Sequence, residues 1–252
     1  MHKIYCEDTR NTRKLLGLYN IPCPELIRCD EHFEQNMIPH ILADIRAGHK
    51  VALVSDAGTP LISDPGYGII HHLRTHNIPI IPVAGACAAV CAMSVSGLPT
   101  DKFVFLGFAP KKSMQRLEFL KDYMVYTATY VFYERADRLN PICSDIADLF
   151  PDAKIVIGRE ITKKFEEFIS GTPKEILDII QERDLKGEVV LCVYVDIPKY
   201  KTLTSPDINQ MINDALAKGT SIKDISADLA QQYGLNKKEI YKLAQSLKDN
   251  ML

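Results

Sequence analysis

Short, continuous apolar stretches alternate with amphipathic stretches along the first 200 residues. The continuous stretches predict buried strands at 51–55, 78–83, 103–108, 128–133, 153–158 and 188–195. Strands that are apolar on both faces are typical of sheets that are covered on both sides. Apolar residues at helical spacing predict helices near 38–45, 113–124, 137–149 and 173–182. This alternation of strands and helices predicts an α/β protein.

The pattern changes near residue 198. Residues 198–205 are polar and bounded by proline, which predicts a linker, and the helical patterns 206–217, 221–232 and 236–249 follow. The last two resemble a helix-turn-helix with its turn at Gly234-Leu235-Asn236. Residues 201–252 carry seven lysines and six acids, a balanced charge that makes DNA binding by this segment alone improbable. A small helical bundle that caps the main body explains it at least as well.

Composition narrows the class of protein. The chain has 252 residues, of which 46% are hydrophobic and 25% are charged, as in soluble globular proteins. A net charge of −2 argues against nucleic-acid binding by the whole surface but permits local basic patches. The chain has no run of apolar residues long enough to cross a membrane and no apolar leader at its start. Its seven cysteines form no C-x-x-C pair, so we expect a cytoplasmic protein with free thiols and no metal.

The segment Ser55–Gly66, SDAGTPLISDPG, follows a predicted strand and precedes a helix. Ligands of open α/β sheets bind where strands end, and glycine and proline there fix the loop and allow close approach. Asp56 and Asp64 offer acceptors for ribose or ammonium groups. The segment is neither a P-loop nor the G-x-G-x-x-G fingerprint. A tight strand–helix turn would explain the same residues, so both interpretations remain open.

This string, SDAGTPLISDPG, resembles the signature of the ribosomal RNA small subunit methyltransferase I family, which are 2′-O-ribose methyltransferases of the tetrapyrrole-methylase superfamily. Further matching segments lie in the same order at 6–16, 96–103, 107–112, 132–134, 159–163 and 186–188. The helical tail also resembles the family's C-terminal extension, so the resemblance covers essentially the whole chain. Two features depart from the family. Its first strand and following turn are absent here, and its PGPSA turn reads Ala84-Gly85-Ala86-Cys87-Ala88.

The resemblance implies a two-lobed tetrapyrrole-methylase-like fold, that of a class III methyltransferase. It implies an N-terminal α/β lobe over 1–108 without its first strand, a second α/β lobe over 109–197 and a helical extension over 198–252. S-adenosylmethionine would bind in a cleft between the lobes. The implied reaction is methylation of the 2′-oxygen of a decoding-centre cytidine in 16S ribosomal RNA. The implied substrate is the small ribosomal subunit or its RNA, and the protein would be a cytoplasmic homodimer.

The resemblance also implies site residues. Those for the cofactor are Asp56, Ala57, Gly58, Thr59, Gly85, Cys87, Ala88 and Tyr133. Small residues at 84–89 would let a helix N-terminus approach the ligand, although tight helix–sheet packing selects them too. The acids that could accept the proton of the 2′-hydroxyl are Glu7, Asp8 and Glu134. Each could equally be a cap or an ion-pair partner, and Asp8 stands where a helix cap is expected.

Three clusters of basic residues in the matching segments are expected to contact RNA phosphates. They are Arg10, Arg13 and Lys14; Lys111, Lys112 and Arg116; and Arg159, Lys163 and Lys164. Such contacts would make binding fall steeply with salt. Two other functions stay open: methylation of a tetrapyrrole or another small molecule, and RNA or ribosome binding without catalysis, which the absent first strand favours.

Overall fold

The computed structural model describes residues 1–197, 205–233 and 235–249. These form two compact units, of which the first contains residues 1–124 and 128–195 and the second contains 125–127 and the chain from 196 onward. The first unit contains two sheets with helices between their strands, and the second contains three helices. The predicted α/β class with C-terminal helices is thereby confirmed.

The first sheet has three parallel strands in the order β2-β1-β3. The strands are β1 (Lys3–Cys6), β2 (Glu25–Arg28) and β3 (Val51–Val54). The helices of this part are α1 (Thr9–Leu18), α2 (Glu34–Arg46) and α3 (Tyr67–Thr75). Tyr5, Ile38, Ile41, Ile69 and Leu73 form its core, which joins the central strand to α2 and α3.

The second sheet has five strands in the order β4-β5-β8-β6-β7, and only the pair β4–β5 is parallel. The strands are β4 (Phe103–Phe108), β5 (Ala128–Arg135), β6 (Lys154–Arg159), β7 (Glu167–Gly171) and β8 (Glu188–Val195). The helices are α4 (Ala88–Val95), α5 (Ser113–Tyr123), α6 (Leu139–Leu149) and α7 (Pro173–Glu182). Helix α4 packs Ala89, Ala92 and Met93 onto one face of this sheet, against Val131 and Cys192.

The sequence pattern predicted five of the observed strands and missed three. The long apolar strands β5 and β8 lie in the centre of their sheet, whereas β1 and β2 have only four residues each and contain Lys3, Glu25 and Arg28. The strand β4 pairs with β5, although the sequence analysis assigned residues 103–108 to the first lobe. Helix α2 begins at Glu34, a full turn before the predicted start.

The predicted strand at 78–83 is wrong, because the structure has no strand there. Pro79 and Pro82 remove two backbone donors from this six-residue stretch, which weakens any ladder that it could form. Ile81 and Val83 are 85% and 86% exposed, whereas Ile78 and Ile80 are partly buried against the core of the first sheet.

The second unit contains α8 (Ser205–Ala217), α9 (Ile222–Tyr233) and α10 (Lys237–Asp249), close to the three predicted helices. Ile212, Ile225, Leu229, Ile240 and Ala244 form its core. Residues 198–204 of the predicted linker and Gly234 of the predicted turn lie outside the described residues. Among the residues that the structure describes, no helix is long and apolar enough to span a membrane.

Candidate functional site

A cleft of about 410 Å³ lies where the loop after β3 meets the N-terminus of α4 and the ends of β5, β6 and β8. This volume falls within the range of small-molecule sites. Its walls include Ala57, Gly58 and Thr59 from the first loop, with Cys87 and Ala88 from the start of α4. The structure therefore brings together two segments that the sequence analysis assigned to the cofactor, although they are about 30 positions apart in the chain.

The loop 55–66 is held in a strained conformation. Leu61 and Ser63 have φ angles of 74° and 62°, values that side-chain-bearing residues adopt at a cost. The Thr59 hydroxyl donates to the carbonyl of Ala86 at 3.0 Å, which ties this loop to the segment before α4. The Glu34 carboxylate accepts from the backbone N–H groups of Gly66 and Ile69 at 3.0 and 3.1 Å. Together these bonds fix the loop from both sides.

Tyr133 connects the second sheet to the start of α4. Its hydroxyl accepts from the N–H of Ala89 at 3.3 Å and lies 3.8 Å from the sulfur of Cys87. Burial raises the pKa of Tyr133 to about 12, so the hydroxyl keeps its proton at neutral pH. The rings of Phe105 and Phe108 pack edge-on against it, at centroid distances of 4.8 and 5.9 Å.

The other polar part of the cleft wall contains two carboxylates that share one ammonium group. The ammonium of Lys163 lies 2.9 Å from Glu160 and 2.7 Å from Glu188. Glu160 also accepts from the N–H of Glu188 at 2.9 Å, and this bond and the lysine lower its pKa. Gly187 has a φ of +97°, and a Cβ there would lie 2.5 Å from the Glu160 carboxylate, so a larger residue would be strained and would displace this carboxylate.

Glu7, Asp8 and Asp56 meet at the carboxyl ends of β1 and β3. Asp56 accepts from the N–H of Asp8 at 3.2 Å and from the side chain of Asn11 at 2.7 Å, while its own N–H donates to Glu7 at 3.4 Å. Asp8 caps α1 by accepting from the N–H of Arg10, whose guanidinium lowers the pKa of Asp8 to about 2. Asp56 therefore ties the loop 55–66 to α1, whereas its neighbours Ala57, Gly58 and Thr59 line the cleft.

Glu134 contributes to the cleft wall, but its carboxylate is buried among charges. Successive strand residues face opposite sides of a sheet, so Glu134 points away from the face on which Tyr133 meets α4. One oxygen accepts from the N–H of Arg135 at 3.0 Å and lies 3.2 Å from Arg138. The other oxygen has no partner among the described residues, and burial raises the pKa of this carboxyl. The catalytic role of Glu7, Asp8 and Glu134 remains a prediction.

The basic residues fall into three groups: one is buried, three are ion-paired, and the remaining five are exposed. Arg116 is buried and paired with Asp145 at 2.5 Å, and it donates to the carbonyl of Lys111 at 3.2 Å. The Arg116 guanidinium therefore stabilises the turn before α5, in which the side chains of Lys111 and Lys112 are exposed. Three others are ion-paired at the surface or close to it: Arg10 with Asp8, Arg159 with Glu167, and Lys163 with its two glutamates. Arg13 and Lys14 are exposed on α1, and Lys164 lies over the ring of Phe165.

Asp64, which the sequence predicted as an acceptor for ribose or ammonium groups, lines the cleft. Two residues that line or support the cleft were absent from the predicted site: Glu160 lines it, and Arg138 donates to the carbonyl of Ala109 at 3.0 Å. Glu160 lies in a segment that matches the family, so the sequence did contain a signal for it. Gly85 belongs to the exposed stretch 81–86 before α4. In the described residues no group of three or more His, Cys, Asp or Glu side chains could hold a metal ion.

Comparison with known proteins places this architecture in a family. The sequence pattern of the Tetrapyrrole (Corrin/Porphyrin) Methylases matches residues 3–177. The ribosomal RNA small subunit methyltransferase I of Halalkalibacterium halodurans is 36% identical over 245 residues, which cover 96% of this chain and 84% of that protein. The protein of the same name from Vibrio cholerae is 38% identical over 245 residues, 95% of this chain and 83% of that one.

Solved structures share the fold. A cobalt precorrin-4 methyltransferase of cobalamin biosynthesis aligns with a TM-score of 0.52 at 16% identity, covering 77% of this chain and 83% of that one. The uroporphyrin-III C-methyltransferase of Thermus thermophilus, solved with S-adenosyl homocysteine, aligns with a TM-score of 0.50 at 16% identity, covering 77% and 85%. At this identity the similarity concerns the fold alone.

Proposed function

Since the chain belongs to the tetrapyrrole methylases, and within them to the ribosomal RNA small subunit methyltransferase I family, we propose that it methylates small-subunit ribosomal RNA. The methyl donor is S-adenosylmethionine, and the acceptor is the 2′-oxygen of a cytidine in 16S RNA. The observation that carries this proposal is the cleft in which the loop 55–66 meets the start of α4, combined with relatives of this name along nearly the whole chain.

The residues of the cleft fit this donor, which is a nucleoside with a cationic sulfonium and an amino-acid end. Cys87, the N-cap of α4, makes no side-chain cap bond. The N–H of Ala89 donates to Tyr133, which leaves the N–H groups of Ala88 and Val90 in the first turn available to a ligand carboxylate. Ile161, Val189 and Val190 supply apolar wall. Gly58 leaves open space, because a Cβ there would lie 3.9 Å from the carbonyl of Ala86. When bound, S-adenosylmethionine supplies an electrophilic methyl group.

The protein's part in the reaction is to position the acceptor and to receive its proton. A 2′-hydroxyl is a weak nucleophile, so a nearby carboxylate that takes its proton accelerates the transfer. Glu7, Asp8 and Glu134 are the proposed acceptors. Glu7 has no basic side chain within ion-pair distance in the described part of the chain, whereas Asp8 is paired with Arg10 and Glu134 with Arg138. Of the three, Glu134 is the one that contributes to the cleft wall.

RNA binding is assigned to the basic residues of the matching segments. Arg13, Lys14, Lys111 and Lys112 are exposed and supply phosphate contacts. Further phosphate contacts would come from Arg10, Arg159, Lys163 and Lys164. The first three are ion-paired within the protein, so each would exchange its carboxylate partner for a phosphate. Arg116 supports the group indirectly, since it is buried and holds the carbonyl of Lys111.

We also propose a homodimer that works in the cytoplasm, where ribosomal subunits are assembled. Light scattering of the purified chain measures the mass directly. A mass of about twice 28.3 kDa supports the dimer, and a mass equal to 28.3 kDa at micromolar concentration rejects it.

The decisive experiment is methyl transfer from labelled S-adenosylmethionine to small ribosomal subunits that lack the modification. The RNA is then digested, and the nucleosides are separated by mass. Label in 2′-O-methylcytidine supports the proposal. Parallel reactions with naked 16S RNA and with a precorrin-type tetrapyrrole identify other substrates. Label only in the tetrapyrrole would make the chain a small-molecule methylase. Salt-sensitive RNA binding without any affinity for S-adenosylmethionine would make it a binding protein.

A further inference from the structure

Four acidic residues contribute to the cleft wall, and their carboxylates differ in how their charge is compensated. Glu160 and Glu188 share the ammonium of Lys163, and Glu134 is paired with Arg138. Asp64 has no basic side chain within ion-pair distance among the residues that the structure describes, although it is partly buried. A partly buried charge without a counter-charge is costly to a protein, so its presence in a ligand cleft calls for an explanation.

The surroundings of Asp64 do not neutralise it. The neighbouring polar group on its own loop is the hydroxyl of Ser55, which donates a hydrogen bond, and the nearby charge is another carboxylate, Asp56. From the second sheet, Tyr133 faces the same region, with its hydroxyl protonated. Burial and Asp56 both raise the pKa of Asp64, which is the behaviour of an acid that lacks its cation.

The backbone on both sides of Asp64 is conformationally restricted. It is flanked by Ser63 in the left-handed region and by Pro65, whose ring fixes φ. Gly66, the next residue, has a φ of 126° and is bonded to Glu34. Such strain is retained where the surrounding structure over-determines it, commonly at ligand sites.

We propose that Asp64 is the counter-charge for a cationic ligand of the cleft, namely the sulfonium of S-adenosylmethionine. This inference rests on the proposed function and adds to it the residue that recognises the charge of the donor. A carboxylate in a partly desolvated cleft attracts a unit positive charge much more strongly than it would in water. S-adenosylhomocysteine has the same nucleoside and amino-acid end but an uncharged sulfur, so Asp64 distinguishes the donor from the spent product.

The role is distinguishable from that of a proton acceptor. The positive charge on sulfur is dispersed as the methyl group leaves, so an anion beside it stabilises the bound donor more than the transition state. Replacing Asp64 should therefore raise KM for S-adenosylmethionine and leave kcat unchanged or higher. Loss of a general base would instead lower kcat.

The test is calorimetric titration of the full chain with S-adenosylmethionine and, separately, with S-adenosylhomocysteine. For Asp64→Asn we expect the affinity for S-adenosylmethionine to fall about tenfold, with the affinity for S-adenosylhomocysteine within about twofold of the original. Asp64→Glu, which keeps the charge, should retain most of the preference for the charged ligand. Asp152→Asn is the matched control, since it removes an exposed aspartate of the turn before β6.

The outcomes separate this inference from the proposed function. Equal weakening of both ligands in Asp64→Asn, or no weakening of either, overturns the counter-charge while leaving the methyltransferase assignment intact. A fall in kcat at unchanged KM also overturns it. Failure of the original chain to bind either ligand would instead reject the proposed function. Retained binding of S-adenosylhomocysteine shows in the same experiment that the variant is folded.

Discussion

The two loops that line the cleft have similar backbone conformations, but the charges of their carboxylates are compensated differently. The loop 55–66 after β3 and the loop 160–163 after β6 both contain side-chain-bearing residues at positive φ, Leu61 and Ser63 in one and Glu160 and Thr162 in the other. In the second loop the carboxylate is neutralised by Lys163 and by the N–H of Glu188. In the first, Asp64 has no basic side chain within ion-pair distance among the described residues. We interpret a strained loop whose carboxylate has a counter-charge as a structural support. A strained loop whose carboxylate lacks a counter-charge is instead available to a cationic ligand.

The largest loss of stability should come from adding a side chain at Gly187, next to Glu160 of the loop 160–163. In Gly187→Ala the new methyl group would lie 2.5 Å from the Glu160 carboxylate, and the residue would keep a positive φ. We expect a loss of about 2–4 kcal/mol in the free energy of unfolding, from the sum of strain and overpacking. Urea denaturation measures it. Gly17→Ala, where a Cβ meets open space, is the control. Equal stability of the two variants would show that the loop yields without cost.

The first loop should be weakened by removing its anchor. In Glu34→Ala the N–H groups of Gly66 and Ile69 lose their acceptor, so we expect a loss of about 1–2 kcal/mol, as for a helix cap. Affinity for S-adenosylmethionine should fall as well, because the loop that carries Asp64 is no longer held. Glu34→Gln, which keeps one acceptor oxygen, should lie between. If Glu34→Ala lost stability with ligand affinity unchanged, the loop would not need this anchor to bind.

The two loops should respond to pH with opposite signs. The folded pKa of Glu160 is lowered by the N–H of Glu188 and by Lys163, so its contribution to stability is present above about pH 4.5 and is lost as the pH falls through the folded value. The folded pKa of Asp64 is raised by burial, so its cost is present at neutral pH and disappears below about pH 3.8.

We therefore expect Glu160→Gln to be less stable than the original chain at pH 7 and closer to it at pH 4, whereas Asp64→Asn should gain relative stability at pH 7. Thermal unfolding at both pH values measures the difference. The same sign for both variants would contradict the distinction between a neutralised and an open charge.

The smallest effect on stability, and a specific effect on binding, is expected at the exposed lysines. In the double variant Lys111→Gln and Lys112→Gln, folding should be unchanged, because both side chains are exposed. The slope of log affinity for RNA against log salt concentration should fall by about two. Filter binding at several salt concentrations gives the slope, with Lys174→Gln on α7 as the control. An unchanged slope would remove these lysines from the RNA surface.

Local pattern was sufficient to predict features that short stretches of chain decide. The apolar runs of β5 and β8 can be stable only when both faces are covered, so their burial follows from composition. The spacing of apolar residues predicted the three terminal helices. The order of the matching segments along the chain was specific enough to predict the family. Strands such as β1 and β2 are too short and too polar to be recognised without their neighbours. Residues 78–83 are apolar enough to predict a strand, but their two prolines disfavour strand pairing.

Only the tertiary structure decided which charged groups compensate one another. Glu160 meets Glu188 across 28 positions, and Asp56 meets Asn11 across 45, and no local pattern encodes either pair. Arg116 and Lys111 are basic residues of the same matching cluster, and the sequence does not distinguish their roles. In the structure Arg116 is buried against Asp145, whereas Lys111 is exposed. Electrostatic free energy depends on distance and burial rather than on residue type, so the same side chains become a cap, a support or an open site only when the chain is folded.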